Sequence, residues 1–203
     1  MGRYLDVNSW ARRDLFEFFR VYTNPYFNIC TRVDVTGLLE FLRERQKTSV
    51  SLTYQYLALR AANEIEPFRY RLKDDRVFVH DVIHGATIVM KPDESFNFAY
   101  FNYQDDFEKF LLDVGRVTQE ARRDGASFSP SPNDDLIHFT VLPWISFTSF
   151  AHARNQGRAD SVPKIAFGKF SKENGRILLP TSVEVHHALM DGLHVGRLLS
   201  RLE

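Results

Sequence analysis

Apolar residues recur with helical spacing in five stretches of the chain. The clearest stretch covers residues 105–124, where Asp105 and Glu108 are typical of an N-terminal capping box. Its apolar stripe consists of Phe107, Phe110, Leu111, Val114, Val117 and Ala121. The same spacing predicts helices over residues 12–20, 36–45, 52–65 and about 193–202.

Short apolar or alternating segments, bounded by turn residues, predict strands between these helices. They cover residues 70–72, 77–82, 86–90, 96–101, 137–142, 164–170 and 176–185. Strands and helices are interspersed without a regular alternation. This order predicts an α/β protein, specifically an α+β two-layer sandwich with a mixed β-sheet covered by helices. It disfavours a doubly wound parallel sheet.

One segment, DGASFSPSPNDD at residues 124–135, is rich in Ser, Pro, Gly and Asp. This composition predicts a surface loop. A domain boundary at this loop is the alternative, but no shift in composition accompanies it. The 203 residues suit one domain of ordinary to large size. We therefore expect a single domain over residues 1–203.

Composition and charge exclude several classes of protein. Lys plus Arg and Asp plus Glu number 26 each, so no global basic field is available for a nucleic-acid partner. The single cysteine, Cys30, excludes an internal disulfide framework and a Cys-rich metal site, and it fits a reducing compartment. The N-terminus lacks the apolar core of a secretory signal, and no apolar run reaches ~18 residues. We expect a cytoplasmic protein without a membrane partner.

The candidate chemistry lies in VEVHHALMDGLHVGRLL, where two adjacent histidines follow an apolar strand. A neutral imidazole can take a proton from an alcohol near neutral pH. Adjacent side chains on an extended segment point to opposite sides, so only one of the two histidines can face a cleft. Asp191 can orient that ring, cap the last helix or pair with an arginine. A metal site is the less favoured alternative, because the spacing of His186, His187, Asp191 and His194 is unusual for ligands.

The heptapeptide HHALMDG at residues 186–192 resembles the HHxxxDG signature of CoA-dependent acyltransferases. The chain is about half as long as members of that superfamily that are built from two halves. Further segments resemble the chloramphenicol acetyltransferase family in particular, in the right order along nearly the whole chain. They are WARRDLFEFF at 10–19, KDD at 73–75, LPWISFTSF at 142–150, and GKF with GRILLPTSVEVHHALMDGLHVGRLL within 168–199.

The resemblance implies a fold, a reaction and an assembly. The fold is that of CoA-dependent acyltransferases, and the assembly is a homotrimer with active sites at the subunit interfaces. The reaction is acetyl transfer from acetyl-CoA, a co-substrate, to a hydroxyl of chloramphenicol, with no permanently bound cofactor and no metal. Two alternatives stay open: acetylation of a different small alcohol, and a non-catalytic trimeric binding protein.

The same resemblance implies catalytic roles for four residues. His187 corresponds to the general base, which removes the proton of the acceptor hydroxyl. Ser149 corresponds to the donor of a hydrogen bond to the oxyanion of the tetrahedral intermediate, with Ser146 and Thr148 as alternatives in a shifted register. Asp191 and Arg12 correspond to an ion pair that holds the active-site loop, with Arg13 as the alternative to Arg12 in a register shifted by one.

Six further residues correspond to binding positions of the family. Phe19, Phe27, Phe96 and Ala166 match the acceptor pocket, although core packing is an equal alternative for the three phenylalanines. Lys169 and Phe170 match the CoA side. Three of these positions depart from the family pattern: Phe19 and Phe170 replace residues that are often Tyr, and Ala166 replaces a Thr that holds an ordered water. These departures keep the question of the acceptor open.

Overall fold

The computed structural model describes residues 1–45, 48–123, 125–128, 130–154 and 160–203. Within these ranges the chain forms five α-helices and ten strands. The helices are α1 (Arg13–Phe19), α2 (Thr36–Arg43), α3 (Val50–Glu64), α4 (Phe107–Arg122) and α5 (Gly192–Ser200). The strands are β1 (Gly2–Tyr4), β2 (Tyr26–Asp34), β3 (Tyr70–Lys73), β4 (Arg76–His80), β5 (His84–Met90), β6 (Phe96–Phe101), β7 (Leu136–Val141), β8 (Lys164–Phe167), β9 (Ser171–Glu173) and β10 (Arg176–His186).

The larger of two sheets has seven strands in the order β2-β10-β8-β7-β5-β6, with β9 also paired to β10. Strand β7 is parallel to both β5 and β8, and the other pairs are antiparallel. The smaller sheet has the order β1-β4-β3 and is antiparallel. The prediction of a mixed sheet is therefore confirmed.

One face of the large sheet carries the apolar core. Residues directly opposite each other in a ladder share a face, and Val183 of β10 stands opposite Ile29 of β2 and Ile165 of β8. These side chains pack in one cluster with residues of α3, α4 and α5, such as Leu59 and Val114. Burying each such side chain contributes about 1.5–3 kcal/mol. The predicted two-layer arrangement, with helices on this face, is confirmed.

The opposite face of the large sheet is polar along β2, β10 and β8. Glu184 of β10 stands opposite Asn28 of β2 and Lys164 of β8. Each of the three is the sequence neighbour of a core-facing residue, and side chains along a strand alternate between the two faces of the sheet. The segment 142–154 runs across this face, because Leu142 N donates to the carbonyl of Phe167 and Arg154 ion-pairs with Glu184.

The two sheets are joined by a fully buried arginine. Arg71 of β3 donates to the carbonyl oxygens of Phe68 at 2.9 Å and Leu136 at 2.6 Å, and also to that of Asp134. Burial lowers the pKa of Arg71 to about 10, which still leaves it protonated at neutral pH. Because the backbone carbonyls accept its hydrogen bonds, the buried cation ties β3 to the start of β7.

Most predicted elements are confirmed, with end shifts of a few residues. Helix α4 is capped by Asp106, whose side chain accepts from Lys109 N, one residue later than the predicted cap at Asp105. Strand β8 ends at Phe167 and not at residue 170, because Lys169 N leaves the ladder and donates to Ile145 O at 2.7 Å.

Three strands lie in segments without a prediction: β1, β2 and β9. The segment predicted as a loop is neither helix nor strand over 125–128 and 130–135, and Asp124 and Ser129 lie outside the described residues. None of the described helices combines the length and the apolar character that crossing a membrane requires.

Candidate active site

Strand β10 delivers the two adjacent histidines to one edge of the sheet. His186 is its last residue and stands opposite Tyr26 of β2. The backbone N–H of His187 donates to Pro25 O at 2.7 Å, which extends the pairing by one residue. A turn follows, and α5 begins at Gly192. His187 is thus fixed between the end of a strand and the start of a helix.

The ring of His187 is held between two aromatic side chains. It stacks on Phe19 with ring centroids 3.9 Å apart and planes 13° apart, and it lies 4.7 Å from the ring of Phe27. Its side chain remains 33% exposed, so the ring is accessible from solvent. Two of the predicted acceptor-pocket residues therefore contact the predicted base within one chain.

Nδ1 of the His187 ring lies close to two hydrogen-bond acceptors. Nδ1 lies 3.3 Å from Met190 O and 3.3 Å from Asp191 Oδ1. Both partners accept hydrogen bonds, so they favour a proton on Nδ1. In that tautomer Nε2 is the unprotonated nitrogen and can take a proton from a ligand.

Arg12, directly before α1, joins this loop from the N-terminal part of the chain. Its Nη1 pairs with Asp191 Oδ2, and its Nη2 donates to the backbone carbonyl of His187 at 3.0 Å. Burial lowers the pKa of Arg12, but a guanidinium stays protonated in proteins. Its neighbour Arg13 is exposed and makes no ion pair with the described residues. The planar guanidinium therefore holds two points of the His187 loop at once.

Asp191 is also the N-cap residue of α5. Its backbone N–H donates to Nδ1 of His194 at 2.9 Å, and His194 N donates back to the carbonyl of Asp191 at 2.9 Å. Burial, together with the charges of Arg12 and Arg197, lowers the pKa of His194. The ring is thereby kept neutral and able to accept. This reciprocal pair fixes the backbone from which the Asp191 carboxylate projects.

His186 has a different environment from His187. It is buried, its Nδ1 accepts from Ala188 N at 3.3 Å, and the ring of Tyr26 meets it edge-on at 5.2 Å. Burial lowers the pKa of His186 to about 4, so the ring is neutral at pH 7. Among the residues that the structure describes, no three His, Cys, Asp or Glu side chains are close enough to hold a metal ion.

Ser149 does not join His187 within one chain. It is exposed, lies outside any helix or strand, and forms no hydrogen bond with the described part of the molecule. The alternatives Ser146 and Thr148 are exposed as well. Within the described part of the chain, no hydrogen bond orients the hydroxyl that the family resemblance assigns to the oxyanion.

A different hydroxyl, that of Thr140, occupies a defined position on the polar face. Thr140 of β7 stands directly opposite Ala166 of β8, and Ala166 stands opposite Ser182 of β10. Ser182 is fully buried and its Oγ accepts from Asn28 Nδ2 at 2.7 Å. Sequence reasoning missed Thr140. The alternation in β7, with apolar Ile137, Phe139 and Val141 on the core side, places it on the other face.

Phe96 lies far from the other predicted pocket residues. It is 44% exposed on β6 and packs against Phe98 and Phe128, with centroids 5.7 and 6.1 Å away. Strand β6 is four strand spacings away from β10, whose end carries the two histidines. At ~4.8 Å per spacing this is roughly 19 Å. Phe96 and His187 of one chain therefore cannot line the same pocket.

Lys169 and Phe170 lie at the other end of β10 from His187. Phe170 is half-buried, with its ring 6.4 Å from that of Tyr54, whereas Lys169 is exposed. They follow Phe167, which stands opposite Thr181. Since a strand rises ~3.3 Å per residue, Thr181 and His187 are separated by roughly 20 Å. The residues predicted for CoA and the predicted base thus occupy opposite ends of this strand.

Comparisons with known proteins agree over the whole length of the chain. The family described as chloramphenicol acetyltransferase matches residues 3–203. Chloramphenicol acetyltransferase 2 of Escherichia coli is 33% identical over 203 residues, which cover 98% of this chain and 94% of that protein. Chloramphenicol acetyltransferase 3 of Escherichia coli is 30% identical over 200 residues, which cover 98% and 93%.

A solved structure of a chloramphenicol acetyltransferase superposes with a TM-score of 0.87 at 28% identity. The superposition covers 100% of this chain and 98% of the solved one. The predicted CoA-dependent acyltransferase fold is therefore confirmed. With the family match over residues 3–203, it follows that this chain belongs to the chloramphenicol acetyltransferase family.

Proposed function

We propose that the protein is an O-acetyltransferase that transfers the acetyl group of acetyl-CoA to a hydroxyl of chloramphenicol, and so confers resistance to that antibiotic. The observation that carries the proposal is the arrangement of His187. The ring is solvent-accessible, stacked on Phe19, and has Nδ1 at 3.3 Å from both Met190 O and Asp191 Oδ1. The names of its relatives support chloramphenicol as the acceptor.

The reaction proceeds in one ternary complex. Nε2 of His187 takes the proton of the acceptor hydroxyl while the hydroxyl oxygen attacks the thioester carbonyl of acetyl-CoA. The tetrahedral intermediate then collapses, the carbon–sulfur bond breaks, and the CoA sulfur leaves with the proton from the imidazolium. Asp191 and the Met190 carbonyl stabilise the imidazolium through Nδ1. The protein holds no permanent cofactor in this scheme, and acetyl-CoA is a co-substrate.

The oxyanion of the intermediate needs a hydrogen-bond donor. We propose Ser149 for this role on the family resemblance, and Thr140 as a second candidate because it stands beside Ala166 on the polar face. Removing an oxyanion donor typically costs about a hundredfold to a thousandfold in kcat. We expect this loss for only one of the variants Ser149→Ala and Thr140→Val. A near-normal kcat for both would exclude both hydroxyls.

We further propose a homotrimer whose active sites lie between subunits. The division of the site residues supports it: His187, Phe19 and Phe27 lie at one edge of the sheet, and Phe96 lies on β6 at the other. In the assembly, His187 of one subunit would face the polar sheet face of the next. The pocket then combines residues that one chain keeps apart.

Complementation between two inactive variants tests the shared site. His187→Ala chains and chains inactivated on the polar face, by Thr140→Val or Ser149→Ala, are purified separately, unfolded together and refolded. Mixed trimers contain some interfaces with both residues intact, so thiol release should return. If sedimentation shows monomers, or if the mixture stays as inactive as its components, the shared site is wrong.

A different small alcohol is the second candidate acceptor. Ala166 favours it, because this fully buried position offers no hydroxyl to hold a water where family members often have Thr. Thr140 and Ser182 flank Ala166 and supply hydroxyls at neighbouring positions. Turnover with other alcohols but not with chloramphenicol would favour this candidate.

Thiol release from acetyl-CoA in the presence of chloramphenicol tests the main proposal. We expect release by the native protein, and a loss of at least about a thousandfold for His187→Ala, because the general base is removed. The variant should keep its melting temperature and sedimentation behaviour. Absence of thiol release by the native protein with every alcohol tried would leave the non-catalytic trimeric binding protein as the better description.

A further inference from the structure

A cavity of about 380 Å³ lies between the first turn of α3, the helix α4, strand β5 and the end of β7. Trp144 stands at this cavity with most of its side chain exposed. Its lining includes Leu52, Gln55, Val89, Thr118, Arg122 and Val141. None of these residues contributes to the His187 loop.

One polar atom in this lining is buried without a partner. Gln55 is only 2% exposed, and its Oε1 accepts no hydrogen bond from the described residues. Its Nε2 donates to the carbonyl of Ser51 at 3.1 Å. A carbonyl can only accept, so this bond determines which end of the amide is the nitrogen. Oε1 is thus left as an acceptor that requires an N–H or O–H group.

The other residues that line the cavity further restrict the chemical class of ligand that fits it. Apolar side chains, among them Leu52, Val89, Val141 and Pro143, form much of the lining. The hydroxyl of Thr118 already donates within its helix, to Val114 O at 2.7 Å. Arg122 adds an exposed guanidinium. An uncharged chain with an amide N–H and an anionic end matches these features.

The cavity adjoins the residues predicted for the CoA side. Tyr54, the neighbour of Gln55 on α3, packs its ring against Phe170. Trp144 precedes Ile145, whose carbonyl accepts from Lys169 N at 2.7 Å. The cavity thus includes Gln55 and Trp144, each next in sequence to a residue that contacts Phe170 or Lys169, on the side where we expect the thioester co-substrate.

We propose that Gln55 recognises the acetyl donor: its Oε1 accepts a hydrogen bond from an amide N–H in the pantetheine arm of acetyl-CoA. The inference rests on the proposed acetyl-CoA-dependent function. The pantetheine arm is uncharged, carries two amide N–H groups and ends in phosphates, which Arg122 can attract. Gln55 is thus a specificity-determining residue for the donor, and it takes no part in the proton transfer at His187.

The variant Gln55→Met tests the proposal, because methionine has a similar length and lacks the acceptor. We expect the KM for acetyl-CoA and the Kd for CoA, measured by calorimetry, to rise about tenfold, as expected when one buried hydrogen bond is lost. The kcat and the KM for chloramphenicol should stay near their native values. Gln119→Met, on the exposed side of α4, is the matched control and should change none of these constants.

Donor analogues separate recognition from a general disturbance of the helix. In two analogues of acetyl-CoA, one or the other amide N–H of the pantetheine arm is replaced by an ester oxygen. For the analogue that lacks the recognised N–H, native protein and Gln55→Met should have the same KM. If the variant loses the same factor with both analogues, or loses nothing with acetyl-CoA, the assignment of Gln55 is wrong.

The activity of the native protein tests the proposed function separately from the role of Gln55. Native protein that transfers acetyl groups but is indifferent to Gln55→Met refutes the role of Gln55 and leaves the proposed function intact. Native protein that neither releases thiol nor binds CoA refutes both.

Discussion

Arg12 shows how one planar group can fix a catalytic loop. Its two nitrogens reach different parts of the loop, the Asp191 carboxylate and the His187 carbonyl. A lysine ammonium is a point charge on a flexible chain and cannot reproduce this fork. Arg12 is therefore a positioning residue, and its effect on the reaction passes through the orientation of the His187 ring.

We expect Arg12→Lys to lower kcat by roughly tenfold to a hundredfold, because a small displacement of the base costs that much. The KM for acetyl-CoA should change little, since Arg12 lies far from the CoA side. Steady-state kinetics of the purified variant measures both. The control is Arg13→Lys at the exposed neighbouring position. Equal kinetics for Arg12→Lys and native protein would contradict the positioning role.

At the residue scale, the sequence predicts identities better than contacts. His187, Asp191, Arg12, Phe19 and Phe27 follow from the family resemblance, and the structure brings these five together. Their meeting could not be predicted from periodicity, because Arg12 and Asp191 are separated by nearly the whole chain. Motif position alone also cannot say which hydroxyl faces a ligand, since that depends on strand register.

Helix α4 offers a test at the scale of a single element. Asp106 accepts from Lys109 N and so satisfies one of the free N–H groups of the first turn. We expect Asp106→Ala to lower the free energy of unfolding by about 1 kcal/mol. Urea unfolding at a fixed protein concentration measures it. Glu108→Ala should cost less, because the ion pair that Glu108 makes with Arg45 among the described residues is weak and exposed, at 4.0 Å. A larger loss for Glu108→Ala than for Asp106→Ala would support the predicted capping box of Asp105 and Glu108.

Strand β2 is the element whose omission from the prediction matters most. It carries Phe27 and provides the neighbour of β10 at the site. Its alternation is readable: Phe27, Ile29 and Val33 lie on the core side, and polar residues separate them. Thr31, on the same face as Ile29 and Val33, interrupts the apolar alternation, and the nearby Asn24-Pro25 pair is typical of a turn. The short strands β1 and β9 have three residues each, too few for a periodic signal.

At the scale of the whole molecule, two neutral histidines, the half-buried His138 and the buried His186, predict acid sensitivity. Burial lowers the pKa of His138 and of His186 to about 4. In the unfolded chain their pKa is near 6.5, so between these values the unfolded state binds more protons. Stability is therefore complete above about pH 6.5 and is lost as the pH falls toward 4.

We expect the free energy of unfolding to fall by up to about 2 kcal/mol per histidine between about pH 7 and about pH 5. Urea titrations at both pH values and one protein concentration measure this difference. His138→Gln should remove about half of it, since glutamine does not titrate. An unfolding free energy that is the same at both pH values would show that these rings are not protected from protons.

The fold of one chain is more predictable than the assembled site. The order of helices and strands predicted the mixed two-layer sheet, because each element carries its own periodicity. The separation of Phe96 from His187 is a property of strand order, which periodicity does not encode. The proposed pocket between subunits depends on the assembly of chains as well as on strand order, so it is even harder to predict from the sequence.

The pairing of β2 with β10 has a consequence for protein synthesis. Among the described strands, β2 pairs only with β10, which leaves the ribosome about 140 residues later. At typical rates of translation, roughly 7 to 28 s pass before the partner strand emerges. During that time a nascent chain exposes an unmatched strand with Phe27, Ile29 and Val33, which other nascent chains or chaperones can bind. The yield of folded protein should therefore depend on chaperone supply more than its final stability suggests.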